Sequence, residues 1–436
     1  MFFRRLVPVS TCSRILRTEA VSSKILSAQD SRWRRQSKGS GGRNLKVAPP
    51  SNEGPEFRGL PDKALITLVC SLCGFGLMAV FSASAPEALS NFQDATYYLR
   101  RQAICCVLGL FAMFTISRYD YRRLKKWAWP VALGAFGLLC LTLVPGISVT
   151  TMGSTRWLQI GPLQFQPSEM CKIASILLIS AGLSKHFWWH RQVLVRIALI
   201  LLMATIVVKQ PDLGTAMMIS GSLVALLFAS GLNPLLILLA GGGAFGYMWH
   251  HVQKTPYQMA RIMSWLDPYK YPQKEGWNSI QAQLAIGSGG LFGVGFGRSM
   301  QKLFYLPVQH ADFIFAVIAE EFGFIPCCVL ISLYILFGYF GFRTALRSRT
   351  LFGRFLAIGI TSSIVLQALV NIMVTTGIVP VTGITLPFIS YGGTSLVITL
   401  AMVGVLLSVS RDSGQMSEDE EYEDADPKPA RQLARP

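Results

Sequence analysis

The residues of this sequence that could do chemistry are ionisable side chains at the edges of, or inside, long apolar stretches. Asp312 is the last polar residue before one such stretch, and Glu320 and Glu321 fall about two helical turns further into it. Ionisable groups in an apolar span are costly and usually functional, and two adjacent acids there must face protein or a polar cavity. A carboxylate at the edge of the stretch can act as a general base. We therefore predict a functional site around Asp312.

A second polar cluster precedes an apolar stretch in the first half of the chain. Pro167 and Ser168 mark a helix start, with Ser168 as the predicted N-cap. Glu169 and Lys172 then lie at i and i+3 on one face of that helix. The pair is either a structural ion pair at a helix end or part of the site.

A third cluster, Lys209-Gln210-Pro211-Asp212, separates two apolar stretches. Pro211 ends one helix and leaves Asp212 near the N-terminus of the next, where the helix dipole stabilises a carboxylate. A capping role explains Asp212 by itself. It does not explain Lys209 and Gln210 at the same predicted depth, so this cluster is also a candidate for the site.

The composition places these clusters in a membrane protein. Hydrophobic residues make up 51% of the 436 residues and charged residues 14%, whereas roughly 25% of the residues of a soluble domain are charged. Apolar stretches of spanning length predict an all-α polytopic membrane protein with about ten transmembrane helices. Pro326, in the middle of the longest stretch, predicts a helix that is either tilted or kinked. The predicted segments are 64–84, 102–117, 127–146, 169–184, 193–208, 213–231, 233–251, 313–341, 355–379 and 390–410.

The positions of Lys and Arg predict the orientation of these helices. Short basic connections follow the second, fourth and eighth segments, and short basic loops stay on the inner side of a membrane. Both termini then lie on the inner side, cytoplasmic or stromal. The three polar clusters lie on the outer side with the largest loop, residues 252–312, between helices 7 and 8. The basic residues are Arg118, Arg122, Arg123, Lys125, Lys126, Lys185, Arg191, Arg196, Arg343, Arg347, Arg349 and Arg354.

The two ends of the chain differ in composition from the apolar part and predict three regions. Residues 1–60 are rich in basic residues and Ser and poor in acids, which is typical of a disordered organelle transit peptide. The alternative is a basic cytoplasmic arm that touches anionic lipid. Residues 61–411 form the predicted ten-helix domain. Residues 412–436 are acidic and predict a disordered tail.

Three other features carry little functional information. The net charge of +17 does not indicate nucleic-acid binding, because the basic residues lie in short loops and in the leader rather than on one folded face. Cys70 and Cys73 form a single CxxC pattern without a second pair or a His cluster, so we predict no metal or redox site there. The glycine-rich stretch 285–297 would let backbone approach a ligand closely.

Long stretches in the same order resemble the SEDS family (shape, elongation, division and sporulation proteins), and most of all its division-associated branch. The resemblance covers roughly residues 60–411 and, with the leader, suggests a cyanobacterial or plastid type. The chain departs from the family pattern at Ala311, where Thr is common, at Tyr271, where Asp is common, and at Pro326, where Gly is usual. The matching stretches are GSTRWLQIGPLQFQPSEMCK, KQPDLGT, RIMSWLDPYKYPQKEGWNSIQAQLAIGSGGLFGVGFG, QKLFYLPVQHADFIFAVIAEEFG and LPFISYGGTSL.

The resemblance implies a peptidoglycan glycosyltransferase that polymerises lipid II at the outer membrane face during cell or plastid division. It makes Asp312 the catalytic aspartate, a base for the 4-hydroxyl of the acceptor, while undecaprenyl pyrophosphate leaves with inversion. That leaving group needs cations rather than an acid. We expect Glu169 and Asp212 to orient those cations. The candidate cations are Arg156, Lys172, Lys209 and Lys302, and the supporting residues are Trp157, Gln210, Glu320, Glu321, Ser390, Gly392 and Gly393.

The resemblance also implies partners and a location. No cofactor is required, although Mg²⁺ or Mn²⁺ could bridge the pyrophosphate. The expected partners are lipid II, the growing glycan strand, a class B penicillin-binding protein (a transpeptidase), other division proteins and membrane lipid. The expected location is the plastid inner envelope, with a bacterial-type plasma membrane as the alternative. Two other functions stay open: a lipid II flippase, which the buried Glu320 and Glu321 would suit, and a non-catalytic division scaffold that recruits the transpeptidase.

Overall fold

The computed structural model describes residues 60–144, 148–151, 154–160, 163–210, 212–272, 276–303, 306 and 309–425. Within these residues the chain is mainly helical, with one short 3-10 helix (Pro268–Lys270) and one small antiparallel sheet. The helices are α1 (Lys63–Phe92), α2 (Tyr97–Arg118), α3 (Tyr121–Leu141), α4 (Pro167–Leu183), α5 (Arg191–Lys209), α6 (Leu213–Ala229), α7 (Pro234–Lys254), α8 (Pro256–Leu266), α9 (Trp277–Ser288), α10 (Ile314–Phe322), α11 (Phe324–Arg347), α12 (Leu351–Thr375) and α13 (Gly393–Ala425). The strands are β1 (Ser148–Thr151), β2 (Ser154–Ile160) and β3 (Leu163–Phe165).

The helices confirm the predicted class, an all-α polytopic membrane protein. In the part of the chain that the structure describes, 7 helices are long and apolar enough to cross a membrane, namely α1, α2, α3, α5, α11, α12 and α13. Helices α4, α6 and α7 coincide with the remaining predicted segments. The total of ten crossings and their orientation stay predictions.

The predicted segment 313–341 is two helices rather than one kinked helix. The chain breaks at Gly323, which has φ +85° and separates α10 from α11. A Cβ at Gly323 would lie 2.3 Å from the amide nitrogen of Gly293, so backbone packs directly on backbone here. Pro326 lies in the first turn of α11, where a missing N–H costs no helical hydrogen bond. The prediction of a kink at Pro326 was therefore wrong.

The start of α4 also differs from the prediction. Its N-cap is Gln166 and Pro167 is its first residue, so Ser168 lies inside the helix rather than at the cap. Proline favours the first helical position because its φ angle suits the helix and no N–H is needed there. The Gln166 side chain turns back and donates a hydrogen bond to Ser168 Oγ at 3.0 Å.

A three-stranded sheet, which the sequence did not predict, leads into α4. The strands pair antiparallel in the order β1-β2-β3, with Leu158 opposite Phe165. In β2, Trp157 is half-buried and Leu158 is buried. The sheet thereby fixes the residues that come directly before the Glu169–Lys172 pair.

The glycine-rich stretch packs against the protein's own backbone. A Cβ at Gly289 would lie 2.0 Å from the carbonyl oxygen of Ala319, and one at Gly293 would lie 2.2 Å from that of Glu321. Main-chain hydrogen bonds of 3.0 Å then join Val294 to Glu320 and Gly295 to Glu321. These glycines let the loop pack on the backbone of α10. The sequence had predicted instead that they would let backbone approach a ligand.

Helix α12 lies at the centre of the described residues. It packs against α4, α6, α11 and α13, and most of its side chains are buried. Two long amides, Gln367 and Asn371, lie one turn apart on this helix and are 2% and 0% exposed. Polar side chains inside such a span predict specific partners.

The last helix is longer than predicted. Helix α13 continues to Ala425, beyond the predicted end of the membrane domain at residue 411 and into the acidic tail. Glutamate is a good helix former, so an acidic run can extend an existing helix. Residues 426–436 and the leader up to residue 59 lie outside the described residues, and so does the prediction made for that leader.

Candidate active site

Asp312 is held by hydrogen bonds to the main chain on both sides of it. Asn371 Nδ2 donates to the Asp312 carbonyl oxygen at 2.9 Å and to the Ile384 carbonyl oxygen at 2.6 Å. Ser390 Oγ donates to the Ala311 carbonyl oxygen at 2.6 Å. Helix α10 begins two residues after Asp312. The segment that carries this carboxylate is therefore fixed by α12 and by the loop before α13.

That loop, residues 380–392, has an unusual backbone. Phe388 is buried with φ +67°, a region that bulky residues rarely adopt, and such residues cluster at functional sites. The Tyr334 hydroxyl donates to the Pro387 carbonyl oxygen at 2.5 Å. Gly76 of α1 leaves no room for a side chain, because a Cβ there would lie 2.4 Å from the Phe388 carbonyl oxygen. The strain at Phe388 is held by tight packing.

Gly383, in the same loop, lies beside the Asp312 carboxylate. It has φ +71°, and a Cβ placed on it would lie 3.6 Å from Asp312 Oδ2. A side chain at this position would cover that face of the carboxylate. Glycine adds no side chain there, which leaves more room for a substrate hydroxyl to approach a base at this position.

A buried chain of side chains links the Glu169–Lys172 pair to the same loop. Lys172 Nζ lies 2.8 Å from Glu169 Oε2 and donates to Gln367 Oε1 at 2.8 Å. Gln367 Nε2 donates to the Thr385 carbonyl oxygen at 2.9 Å. Lys172 is 1% exposed, so this charge acts through a low-dielectric interior. The predicted i, i+3 ion pair is confirmed and forms part of a longer network.

The Asp212 cluster reaches the loop as well. Asp212 is the N-cap of α6 and accepts hydrogen bonds from the amide and the hydroxyl of Thr215 at 3.0 and 2.9 Å. Gln166 Nε2 donates to Asp212 Oδ2 at 3.0 Å, which joins this cap to the start of α4. A Cβ at Gly214 would lie 2.4 Å from Ile384 Cγ1. The predicted capping role of Asp212 is confirmed.

Two predicted members of the Asp212 cluster lie elsewhere. Gln210 is buried and donates to Thr142 Oγ1 at 2.5 Å, so it fastens the end of α5 to the end of α3. Lys209, the residue before Gln210, is exposed. The two side chains do not face the same partners.

Lys302 lies in a different buried cluster. Its Nζ is 2.8 Å from Glu321 Oε1 and donates to Ser82 Oγ at 3.1 Å, and the residue is 5% exposed. The Ser82 hydroxyl also contacts the Glu321 carboxylate at 2.6 Å. This ion pair supports packing of the loop on α1 and α10, and it argues against Lys302 as a contact of the leaving group.

Glu320 binds the loop that precedes Lys302. Its carboxylate accepts hydrogen bonds from the Ser299 hydroxyl and from the Met300 amide, the latter at 2.9 Å. Both Glu320 and Glu321 therefore face protein, one of the two environments predicted for them. Both residues are buried, and each is 2% exposed.

Of the remaining predicted residues, one has a side chain outside the described part of the structure, and the others lie in the turn before α13 or at its start. Arg156 lies on β2, but its side chain is outside the described part of the structure. Ser390 Oγ also accepts from the Leu386 amide at 2.8 Å, so it closes the 386–390 turn. Gly392 donates its amide to Gln102 Oε1 at 3.3 Å. Gly393 begins α13, and a Cβ there would lie 3.0 Å from Cys105 Sγ.

Three positioning residues were missed by the sequence reasoning: Gln102, Gln367 and Asn371. Gln102 Nε2 donates to the Ser390 carbonyl oxygen at 3.0 Å, so one amide binds the turn at two points. All three are amides at membrane depth in otherwise apolar stretches. The sequence feature that identified the acids, a costly polar side chain within an apolar span, could have identified these amides as well.

A small recess opens beside this network. It has room for about one water molecule, and four hydroxyl-bearing side chains line it. Its lining residues are Thr385, Leu386, Pro387, Phe388, Ser390, Gly392, Ser395, Leu396 and Thr399. The turn that fixes the Asp312 segment is therefore polar on this side.

No protein-ligated metal centre fits the described residues. Among them, no group of three or more His, Cys, Asp or Glu side chains is arranged to hold a metal ion. Cys70 and Cys73 are free, one exposed and one buried.

The Glu169–Lys172 network, the cap formed by Asp212 and the main chain beside Asp312 thus all contact one loop, residues 380–392. The sequence profile of the FtsW/RodA/SpoVE family, described as cell cycle protein, matches residues 63–415. The chain belongs to this family. The FtsW/RodA/SpoVE profile covers all the described helices except the end of α13, and the predicted SEDS membership is confirmed.

Relatives within the FtsW/RodA/SpoVE family match over most of their length. The probable peptidoglycan glycosyltransferase FtsW of Geobacter metallireducens is 38% identical over 353 residues, 80% of this chain and 94% of the relative. The stage V sporulation protein E of Bacillus subtilis is 39% identical over 357 residues, 81% of this chain and 98% of the relative.

Solved structures of family members share the fold. A chain of a peptidoglycan synthase complex, described as coordinating polymerization and crosslinking, gives a TM-score of 0.68 at 32% identity, with 81% of this chain and 98% of that chain covered. The rod shape determining protein RodA of Thermus thermophilus gives a TM-score of 0.62 at 30% identity, with 81% and 97% covered.

Proposed function

We propose that this chain is a peptidoglycan glycosyltransferase that polymerises lipid II into glycan strands during septal wall synthesis. The observation that carries the proposal is the position of Asp312, whose main chain is fixed by Asn371 and whose carboxylate lies beside Gly383, a residue without a side chain. A relative that matches over 94% of its own length carries the name probable peptidoglycan glycosyltransferase, which supports the reaction class.

The proposed reaction needs one base. Asp312 takes the proton from the 4-hydroxyl of the acceptor sugar as that oxygen forms a bond to C1 of the donor sugar. The bond from C1 to the pyrophosphate oxygen breaks with inversion, and undecaprenyl pyrophosphate leaves with the electron pair. A positioned base contributes about 10²–10⁴-fold to such a rate. The pyrophosphate is a good leaving group, so no second carboxylate is required, unlike in glycoside hydrolysis.

Charge stabilisation of the leaving group is the proposed task of cations near the loop. Lys172 is held by Glu169 and by Gln367, which binds the 380–392 loop, and its charge is weakly screened because it is buried. Arg156 and Lys209 stay candidates for direct contact with the pyrophosphate. A Mg²⁺ or Mn²⁺ ion bound by the pyrophosphate also stays a proposal, and no step depends on it.

The competing function is a lipid II flippase, and a specific observation bears on it. Glu320 and Glu321 would suit a path through the bilayer, but their carboxylates are engaged by Ser299, Met300, Lys302 and Ser82. This supports a structural use of the acids. The role of a scaffold that recruits a transpeptidase is compatible with catalysis.

A class B penicillin-binding protein is the proposed partner, together with other division proteins and membrane lipid. The structural similarity to a chain of a peptidoglycan synthase complex supports a crosslinking partner. The test is to incubate the purified full chain with lipid II, with and without that partner, in detergent and in vesicles. We expect glycan strands, more of them with the partner. Transfer of lipid II across the vesicle membrane without polymer would contradict the proposal and favour the flippase.

We further propose the plastid inner envelope as the location, with a bacterial-type plasma membrane as the alternative. The Arg- and Ser-rich composition of residues 1–60 supports an imported protein. Residues 1–55 fused to a fluorescent reporter should enter plastids. A reporter that stays in the cytosol, or that enters mitochondria only, would overturn this.

A further inference from the structure

Three cations lie together at the ends of three neighbouring helices on the predicted inner side. Lys125 lies in the second turn of α3 and Arg196 in the second turn of α5, while Lys185 comes two residues after the end of α4. The three helices pack against one another. We name these three residues the basic cluster.

Contacts of Arg196 join the three helices at this level. Its Nη1 donates to the Leu178 carbonyl oxygen of α4 at 2.8 Å, and its guanidinium carbon lies 5.5 Å from the centroid of the Trp129 ring of α3. A Cβ at Gly182 of α4 would lie 2.9 Å from Arg196 Cδ, so glycine makes room for the arginine stem. Arg196 is therefore held between α3 and α4 rather than extended freely into water.

The two lysines lie next to this arginine. Lys125 comes one turn before Trp129 on the same face of α3. The amide of Lys185 donates to the carbonyl oxygen of Gly182 at 3.0 Å, one turn from the position where Gly182 meets the arginine. The charged groups that act on Lys125 are Lys185 and Arg196, both of its own sign. The fold therefore holds three like charges close together.

Asp120 and Asp412, two acids at this level, are bound to other groups. The Asp120 carboxylate caps α3 by accepting from the Arg122 amide at 2.9 Å. Asp412 of α13 binds the Arg122 guanidinium and the Tyr121 hydroxyl, each at 2.7 Å. Among the residues that the structure describes, no ion pair includes a member of the basic cluster. Like charges held together without an acid indicate a site for an anionic ligand.

Exposed aromatic and apolar side chains border the basic cluster. Phe187 and Trp189 lie in the short connection between α4 and α5, with ring centroids 3.8 Å apart, and both are exposed. Leu133 lies one turn further into the span than Trp129, and both are exposed on α3. Tryptophan is typical of the headgroup level of a membrane, and exposed apolar side chains beyond it face acyl chains. The surface therefore matches an amphipathic ligand, with its anionic group at the cations and its hydrocarbon along α3.

The preference for basic inner loops does not by itself require this arrangement. That preference is met by cations that point separately into water. Arg123 is such a residue, since it is exposed and lies two positions before Lys125, on a different face of α3. The basic cluster instead gathers cations from three helices, with one of them held between two helices. Basic pockets between transmembrane helices on the inner side bind anionic lipid headgroups.

We propose that the basic cluster binds an anionic phospholipid of the inner leaflet, with the phosphate between Lys125, Lys185 and Arg196 and an acyl chain along the exposed face of α3. The phosphate oxygens accept charge-assisted hydrogen bonds from the three cations. The site is separate from the proposed reaction, because the basic cluster lies at the opposite end of α4 from Glu169 and Lys172.

The test measures lipid binding by native mass spectrometry of the purified full chain, titrated with phosphatidylglycerol or with phosphatidylcholine of the same acyl chains. The parent should bind phosphatidylglycerol more tightly than phosphatidylcholine. Lys125→Gln and Lys185→Gln should each weaken phosphatidylglycerol binding about fivefold, which is the usual share of one cation beside an anionic headgroup. Lys185 is exposed, so its variant leaves the interior undisturbed. Arg123→Gln is the matched control, since it removes one charge from the same end of α3, and it should bind as the parent does.

Equal binding of the two lipids by the parent would overturn the site. So would an equal loss of binding in Lys125→Gln and Arg123→Gln, because any basic residue of this side would then serve. In a further arm, sn-glycerol 3-phosphate competes with the bound lipid at equal concentration. Retention of the lipid supports the proposal, whereas displacement would show a site for a soluble phosphate and reject the lipid. No arm uses lipid II, so failure of this site leaves the proposed function standing.

Discussion

At the scale of single residues, the site depends on amides that hold backbone and on one buried ion pair. Asn371 and Gln367 each bind the 380–392 loop from α12, and Gln367 Oε1 accepts a hydrogen bond from Lys172 Nζ. Removing one member of a buried ion pair leaves the other charge uncompensated, whereas removing both avoids that penalty. This difference separates a structural from a chemical role of Lys172.

Lys172→Met alone should lower the free energy of unfolding by about 3–5 kcal/mol, because Glu169 is left as an unpaired buried charge. The double variant Glu169→Gln/Lys172→Met should regain most of that stability. If Lys172 stabilises the leaving group, the double variant should still polymerise lipid II far more slowly than the parent. Thermal unfolding and strand synthesis measured on both variants check this. A double variant with parental activity would show that the pair serves stability alone.

At the scale of the elements, the break between α10 and α11 and the glycine-rich loop form one unit. The loop can lie on α10 only where glycine removes the side chain. Gly293 has φ +78°, and a Cβ there would meet the Glu321 carbonyl oxygen. Gly287, six residues earlier and inside α9, has open space around its Cβ position.

Gly293→Ala should destabilise the protein by about 1–2 kcal/mol from the left-handed backbone alone, with more from the collision. Gly287→Ala is the matched control and should be neutral or stabilising by up to about 1 kcal/mol, since alanine favours a helix over glycine. Thermal unfolding of the two purified variants compares them. Equal stability of both would contradict the packing described for this loop.

Local features of the site could be predicted from the sequence, and distant contacts could not. The Glu169–Lys172 pair and the Asp212 cap follow from spacing within a single helix turn. Lys302 could not be placed, because its partners Glu321 and Ser82 come from two other elements. Hydropathy likewise gives the apolar segments, but it does not detect the break at Gly323, which is set by backbone packing against the glycine-rich loop.

At the scale of the whole molecule, the orientation of the bundle decides which side of the membrane the site faces. The basic connections after the second, fourth and eighth predicted segments predict that Asp312 lies on the outer side. Lys270, in the 3-10 helix, and Arg347, at the end of α11, are both exposed and lie on the two predicted sides. Lys270→Cys and Arg347→Cys should react with a membrane-impermeant thiol reagent from opposite sides of sealed vesicles. Labelling of both from one side would reject the topology.

The central claim is that Asp312 is the base of a polymerisation reaction beside the 380–392 loop. Asp312→Asn keeps the shape of the side chain and leaves the main-chain bonds from Asn371 in place, so the protein should insert and fold normally. Asp267→Asn is the matched control, since Asp267 is an exposed acid between α8 and the 3-10 helix.

The deciding measurement is the rate of lipid II polymerisation by the purified parent and these two variants, each verified as folded. We predict a fall of about 10²-fold or more for Asp312→Asn, which is the usual contribution of a positioned base, and a parental rate for Asp267→Asn. A correctly folded Asp312→Asn protein that makes glycan strands at the parental rate would contradict the account.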